Sequence, residues 1–295
     1  MEINYKVEKE NQTINQILKN ELNISSRLFY KLIKHNLVSV NGKPTDTRNQ
    51  VTINDVITID LNYDEDNSNI VPRKMELNIV YEDEALIIIN KPSGIAVHPS
   101  ILHYEDSLSN GLKYYFDSIN LKKKIRPVNR LDFYTSGLIV FAKNEYIQES
   151  LIKQMEQNLF HKEYLAIVTG ILDQKKGTIN KPIGRKEGSI IERAICPEGK
   201  KSITHYEVLK EYENLSLVKC VLETGRTHQI RVHFSSIGHP LLGDELYGKP
   251  SPLIKGQALV CNKLEFIHPQ TKANLSFEIK ALEIFDFAPT LLAVQ

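Results

Sequence analysis

The sequence predicts an α+β protein, on three observations. Short apolar runs of strand length alternate with turn residues through most of the chain, only a few segments carry helical spacing, and strand and helix do not alternate regularly as a doubly wound parallel sheet requires. The runs are Ala85 to Ile89, Gly137 to Ala142, Tyr164 to Val168, Ser216 to Leu222 and Ala273 to Ile279. Ser107 to Phe116 and Glu145 to Leu159 are the helical candidates between them. No strand runs into a glycine-rich nucleotide loop.

The first 61 residues read as a unit of their own. Ile14, Ile17 and Leu18 have helical spacing, and Ser25 or Ser26 can cap a second helix with Leu28, Leu32 and Ile33 on one side. That helix places Arg27, Lys31 and Lys34 at intervals of four and three, a cationic stripe beside the apolar one. Val38 to Val40 then runs into Asn41-Gly42, a tight hairpin signal, and Val51 to Leu61 supplies a further strand. By pattern alone a wet lysine-rich face explains the stripe better than an RNA contact does. The stretch S-R-L-F-Y-K-L-I-K-H-N-L-V-S-V-N-G-K-P, however, resembles the small RNA-binding domain of ribosomal protein S-four. The resemblance implies an ααβ module whose basic helix docks on folded RNA phosphates. His35 and Asn36 depart from it, standing where a glycine commonly precedes the first hairpin strand.

Residues 62–74, acidic and polar and ending in Pro-Arg-Lys, read as a linker, which leaves 75–295 for a catalytic domain. In 295 residues, 41% are hydrophobic and 25% charged, and no apolar run approaches the roughly 18 residues of a membrane-spanning helix. The amino terminus lacks a targeting pattern, so a cytoplasmic, non-membrane protein is expected. Cys196, Cys220 and Cys261 are odd in number and far apart, and read as packing residues. The net charge of +1 announces no nucleic acid by itself. The run Lys122, Lys123, Lys124, Arg126 reads as an ordinary solvated loop.

Two stretches carry chemistry. In P-V-N-R-L-D-F-Y-T-S-G-L-I-V-F-A-K, from Pro127 to Lys143, an extended chain points Arg130 and Asp132 the same way. A guanidinium favours the charged carboxylate that a nucleophile or base requires, although the pattern also suits a surface ion pair. In E-T-G-R-T-H-Q-I-R-V-H-F-S-S-I-G-H-P-L-L-G-D-E-L-Y-G, Thr227 is a candidate cap for a helix carrying Ile230, Phe234 and Ile237 and stopping at Gly238. Its first turns bring His228 and Arg231 to one face. The spacing of His228, His233 and His239 puts no three histidines on a helical face, so no metal is expected. Tyr164, in H-K-E-Y-L-A-I-V-T-G, groups with Ala166 and Val168 against Leu165 and Ile167. I-N-K-P-S-G-I-A-V-H-P-S, Ile89 to Ser100, is a strand running into a turn.

Taken in order, these four stretches resemble the ribosomal large-subunit (RluA-type) pseudouridine synthases, over about Met75 to Glu283. The resemblance implies a mixed, largely antiparallel sheet and an isomerase that converts specific uridines of structured RNA to pseudouridine. It makes Asp132 the essential aspartate, Tyr164 the tyrosine on the target uracil, and Arg231 the partner of Asp132, in place of Arg130. Arg130, Arg226 and His228 become RNA contacts, with Arg27, Lys31 and Lys34 on the amino-terminal module. Asn129 departs from the family, replacing the histidine that commonly precedes R-L-D, and implies altered local contacts or substrate preference. An isomerisation needs no redox cofactor or phosphoryl donor, so none is expected. The flipped base, large-subunit rRNA ahead of tRNA as substrate, and a monomer complete the reading. Whether Asp132 attacks the ribose, adds to carbon 6 or removes a ribose proton stays open. A non-catalytic RNA-binding protein and a metal-dependent hydrolase are the rivals from other classes.

Overall fold

The computed structural model describes residues 1–280. Residues 281–295, assigned above to the catalytic domain, and the end of the resemblance at Glu283 lie outside the described residues.

The amino-terminal sheet begins earlier than the sequence pattern suggests. Glu2–Lys6 pairs antiparallel with Val56–Asp60, which pairs on its other side with Val38–Val40, and that strand with Lys43–Pro44. Glu2–Lys6 alternates exposed and half-buried side chains, but only Ile3 and Tyr5 mark its inner face, too short a signal to stand out. The single strand expected from Val51 to Leu61 is broken in two. Asn54 takes φ 74°, and the Asp55 carboxylate accepts the Thr52 N–H at 2.8 Å, which turns the chain between Gln50–Val51 and Val56–Asp60.

The helices of this module are capped by their own side chains. Thr13 Oγ1 accepts the Gln16 N–H while Gln16 returns a bond to the Thr13 N–H, and Ser25 Oγ accepts the Leu28 N–H at 3.2 Å. The helix Ser26–Lys34 buries Leu28, Phe29 and Leu32, and Ile33, expected inside, is instead 39% exposed. Asn36 follows at φ 52°, so asparagine fills the left-handed position that glycine would otherwise take. Asn41 and Gly42, at φ 49° and 77°, close the hairpin.

The rest of the chain, from residue 75 onward, is built on one large mixed sheet. Its strands run in the order Lys176–Asn180, Ile203–Glu211, Leu215–Leu222, His161–Thr169, Leu259–Ile267, Ser136–Ala142, Leu86–Lys91 and Ile79–Glu82. Every pair is antiparallel except Ser136–Ala142 with Leu259–Ile267, so the fold is α+β with a largely antiparallel sheet. At that parallel junction Gly137 pairs with Cys261 at φ 107°, and a Cβ there would run into the Cys261 backbone. Along His161–Thr169, Tyr164, Ala166 and Val168 enter the main core, whereas Leu165 and Ile167 join Leu242, Ala258 and Val260 on the other face. The helices Leu108–Ser118 and Glu145–Glu156 follow the caps Ser107 and Asn144, and Cys220 and Cys261 are buried free thiols. Among the described residues no helix is long and apolar enough to cross a membrane.

Residues 62–74 form no strand or helix, yet they pack rather than hang free. Glu65 is buried and accepts from both terminal nitrogens of Arg126 at 2.6 Å, and from Lys31 at 3.0 Å. Lys31 also reaches Glu145 at 3.3 Å. Lys123 donates to the carbonyls of Leu61 and Tyr63, and the Lys31 and Lys123 ammonium groups lie 4.3 and 4.8 Å from the centre of the Tyr63 ring. The run around Lys122 to Arg126 is therefore not a solvated loop. It clamps the connecting segment, because desolvated carboxylate and carbonyl oxygens at this seam require cationic partners.

Candidate active site

The expected residues converge although they come from four distant parts of the chain. Arg130, Asp132, Tyr164, Arg226, His228 and Arg231 line one cleft, together with Thr135, Gln229 and Leu259. Asp132 sits on the turn just before the strand Ser136–Ala142, Tyr164 is on a central strand, and Arg231 is on the helix Gln229–Ser235. That helix is shorter than the spacing suggests. Its cap is His228 and not Thr227, with φ 58° and ψ 20°, a conformation that costs a non-glycine residue about 1–2 kcal/mol.

Arg231 decides the electrostatics. Nε and Nη2 hold the two oxygens of Asp244 at 2.8 Å each, and Nη1 donates to Asp132 Oδ2 at 3.2 Å. Burial works against the guanidinium's charge, but the hydrogen bonds and charge of Asp244, with Asp132, outweigh it and raise its pKa above the ordinary range. Asp244 is fully buried and also accepts the N–H groups of Leu246 and Tyr247. Among the described residues no protein group donates to Asp132 Oδ1. One carboxylate oxygen is thus fixed, and the other faces a cleft in which the side chain keeps 27% of its exposure.

Tyr164 pairs across the sheet with Cys220 and Cys261. Burial first, then Cys261 and the charge of Asp132, hold its hydroxyl well above the ordinary phenol range, so it is neutral. His228 Nε2 lies 3.8 Å from Asp132 Oδ2, and its Nδ1 lies 2.8 Å from the Tyr247 hydroxyl. Burial pushes its pKa below the ordinary value, with Asp132 pulling the other way. Arg130 and Arg226 are exposed at the rim, and Arg130 forms no ion pair with Asp132 among the described residues. Arg27 and Lys34 are exposed on the amino-terminal helix, away from this cleft. Lys31 does not share their open stripe, because Glu65 and Glu145 hold it.

Asn129 is buried and does not line the cleft. Its amide donates to Leu138 O at 3.1 Å and accepts the Val140 N–H at 2.8 Å, pinning the approach to Arg130–Asp132 against the strand behind it. Sequence reasoning passed over Lys91, whose fully buried ammonium donates to the carbonyls of Pro92, Ile95 and Phe133 at 2.9, 2.8 and 3.1 Å. Burial lowers it to about 7, against the pull of Asp132. It ties the Ile89–Ser100 turn to the residue following Asp132. The signal was a lysine closing a strand, one residue past the apolar run in I-I-I-N-K. Asp244 and Tyr247 were also passed over, although both stand in the second stretch. His233 and His239 hold backbone carbonyls, Lys181 O and Thr169 O, and among the described residues no three His, Cys, Asp or Glu side chains are grouped as metal ligands.

Residues 85–236 match the family model described as RNA pseudouridylate synthase. The chain belongs to the RNA pseudouridine synthase family. It is 41% identical over 273 residues to the uncharacterized RNA pseudouridine synthase YhcT of Bacillus subtilis, covering 92% of this chain and 90% of that one. It is 37% identical over 259 residues to ribosomal large subunit pseudouridine synthase D of Neisseria meningitidis, covering 83% and 69%. Among solved structures, human RNA pseudouridylate synthase domain containing 1 superposes with a TM-score of 0.61 at 27% identity, over 73% of this chain and 86% of that one. The synthase is of the RluA type, and the matched span contains Asp132, Tyr164 and Arg231.

Proposed function

We propose that the synthase isomerises uridines of large-subunit rRNA, with Asp132 as the group that attacks the flipped-out nucleotide. The observation that carries this reading is the bridge made by Arg231, which joins Asp132 to the buried Asp244 and leaves Asp132 Oδ1 open to a cleft shared with Tyr164. A nucleophile needs one fixed orientation and one free oxygen, and a guanidinium anchored from behind supplies the first without consuming the second.

In the reaction the N1–C1′ bond of uridine breaks, the base turns, and a C5–C1′ bond forms as the C5 hydrogen leaves and N1 gains a proton. Atoms and electrons balance without a cofactor. Asp132 serves attack on the ribose, addition at carbon 6 or removal of a ribose proton equally well. Tyr164 packs its neutral ring on the uracil, offsetting the few kcal/mol lost when the base leaves its stack. Arg130, Arg226 and His228 at the cleft mouth take the nucleotides around the target. Residues 1–61 act as an S-four-like module that adds Arg27 and Lys34 as phosphate contacts, residues 62–74 join it to the catalytic domain of 75–295, and the protein works as a cytoplasmic monomer. The name of the Neisseria relative supports rRNA as substrate.

The test is carbodiimide mapping of pseudouridine in unmodified rRNA and a tRNA pool, with Asp132→Asn as control. New pseudouridine in large-subunit rRNA, made only by the unaltered protein, is the expected result. Modification confined to tRNA would overturn the substrate, and modification by Asp132→Asn would overturn the nucleophile.

A further inference from the structure

Seven of the nine non-glycine residues at positive φ among the described residues are asparagines, which tolerate that conformation; His228 and Lys272 are the exceptions. His228 is held there by contacts at both ends of its ring. The Tyr247 hydroxyl lies 2.8 Å from Nδ1 and itself accepts the backbone N–H of Arg193 at 2.8 Å. The Tyr247 ring in turn lies 5.0 Å from the Arg231 guanidinium carbon. At the other end Nε2 faces Asp132 Oδ2 at 3.8 Å, inside the cleft.

This arrangement selects a tautomer. A bare Nε2 lone pair would oppose the carboxylate, whereas a proton on Nε2 is attracted to it. With the Arg193 N–H occupying one side of the Tyr247 oxygen, that hydroxyl's own proton turns to Nδ1 and leaves the imidazole proton on Nε2. We infer that His228, fixed by Tyr247, is a positioning residue for Asp132: its Nε2–H supplies a second donor to Oδ2 beside Arg231 when bound RNA closes the remaining gap. Such bonds are commonly long without substrate and shorten in the productive complex. The two donors set the plane of the carboxylate and so the direction of Oδ1. This assigns His228 a role beyond the RNA contact given above, and it rests on Asp132 being the reacting group.

The backbone must be spared when the imidazole is removed, so His228→Asn is the variant of choice. Tyr247→Phe deletes only the hydroxyl. Each is expected to lower kcat on RNA about tenfold with KM within twofold and melting temperature unchanged, and the double variant to lose no more than the worse single one. On acidification the imidazole, which burial holds below its ordinary pKa against the pull of Asp132, takes up a proton and Nδ1 can no longer accept from Tyr247; Asp132, Asp244, Arg193 and Arg231 also face the ring. The acid limb of log kcat should therefore carry a step in the unaltered protein that is absent in His228→Asn. Unchanged kcat and pH profile in His228→Asn, or a change in KM alone, would overturn the inference. Full activity of Asp132→Asn would instead remove the reading beneath it.

Discussion

Arg231 divides its donors between two carboxylates, and the difference between them explains the site. Asp244 is fully buried and takes two bonds, whereas Asp132 takes one and stays partly open. In the proposed reading Asp244 orients the guanidinium and Asp132 is the group that acts at the cleft. Asp244→Asn removes the charge and one acceptor while keeping the shape. It should lower kcat 10–100-fold, as the loss of an orienting partner commonly does, and destabilise the fold by about 3 kcal/mol because Arg231 stays buried. Steady-state kinetics with a thermal melt checks both. That Asp132, Tyr164 and Arg231 meet in one cleft could be expected from the sequence only because each stands in a motif that the resemblance covers. Spacing alone favoured Arg130 as the partner of Asp132, since neighbours in sequence can be read and neighbours across 99 residues cannot. Lys91 escaped for the opposite reason, its three acceptors being backbone carbonyls that no side-chain pattern announces.

The elements meet at a seam governed by Glu65. Burial raises a carboxyl pKa, but the hydrogen bonds and charge of Arg126, followed by those of Lys31, overcome it and pull Glu65 from 4.5 to about 2. A depressed folded-state pKa means stability that is fully present above about pH 4.5 and lost as pH falls toward 2. The amount is about 3 kcal/mol over the window. Melting temperature should thus fall between pH 5 and 3 more steeply in the unaltered protein than in Glu65→Gln, which is already weaker at pH 7. Parallel slopes would show that another group governs the seam. The sequence concealed this cluster, since N-Y-D-E-D-N-S-N has the composition of a free linker. Glu65 becomes buried only where a helix of the amino-terminal module and the Arg126 strand converge on it. By contrast, four of the eight strands in the sheet order, Leu86–Lys91, Ser136–Ala142, His161–Thr169 and Leu215–Leu222, were legible from their apolar runs and both long helices from spacing, whereas Ile79–Glu82, Lys176–Asn180, Ile203–Glu211 and Leu259–Ile267 were not picked out.

Across the whole molecule, RNA is predicted to meet two cationic regions, the cleft rim and the amino-terminal helix. Arg27 and Lys34 are exposed there, while Lys31 is committed to Glu65 and Glu145. Replacing Arg27 and Lys34 together by alanine should reduce the slope of log K against log salt by about 1.5, the release expected for two phosphate contacts. Lys31→Ala should leave that slope unchanged and lower the melting temperature. Filter binding at several salt concentrations distinguishes the two, and an equal effect of all three would restore Lys31 to the RNA surface. The sequence could place these cations on one stripe, but which of them is free depends on a carboxylate 34 residues away.

The most direct test of the central claim follows the C5 hydrogen, which the reaction must expel. With rRNA carrying tritium at uridine C5, the unaltered protein should release tritium to water in step with pseudouridine formed. Asp132→Asn should bind the RNA with similar affinity and release tritium at least about a thousandfold more slowly, the scale of loss expected for a nucleophile. Release by Asp132→Asn at a rate near that of the unaltered protein would show that the chemistry does not pass through this carboxylate.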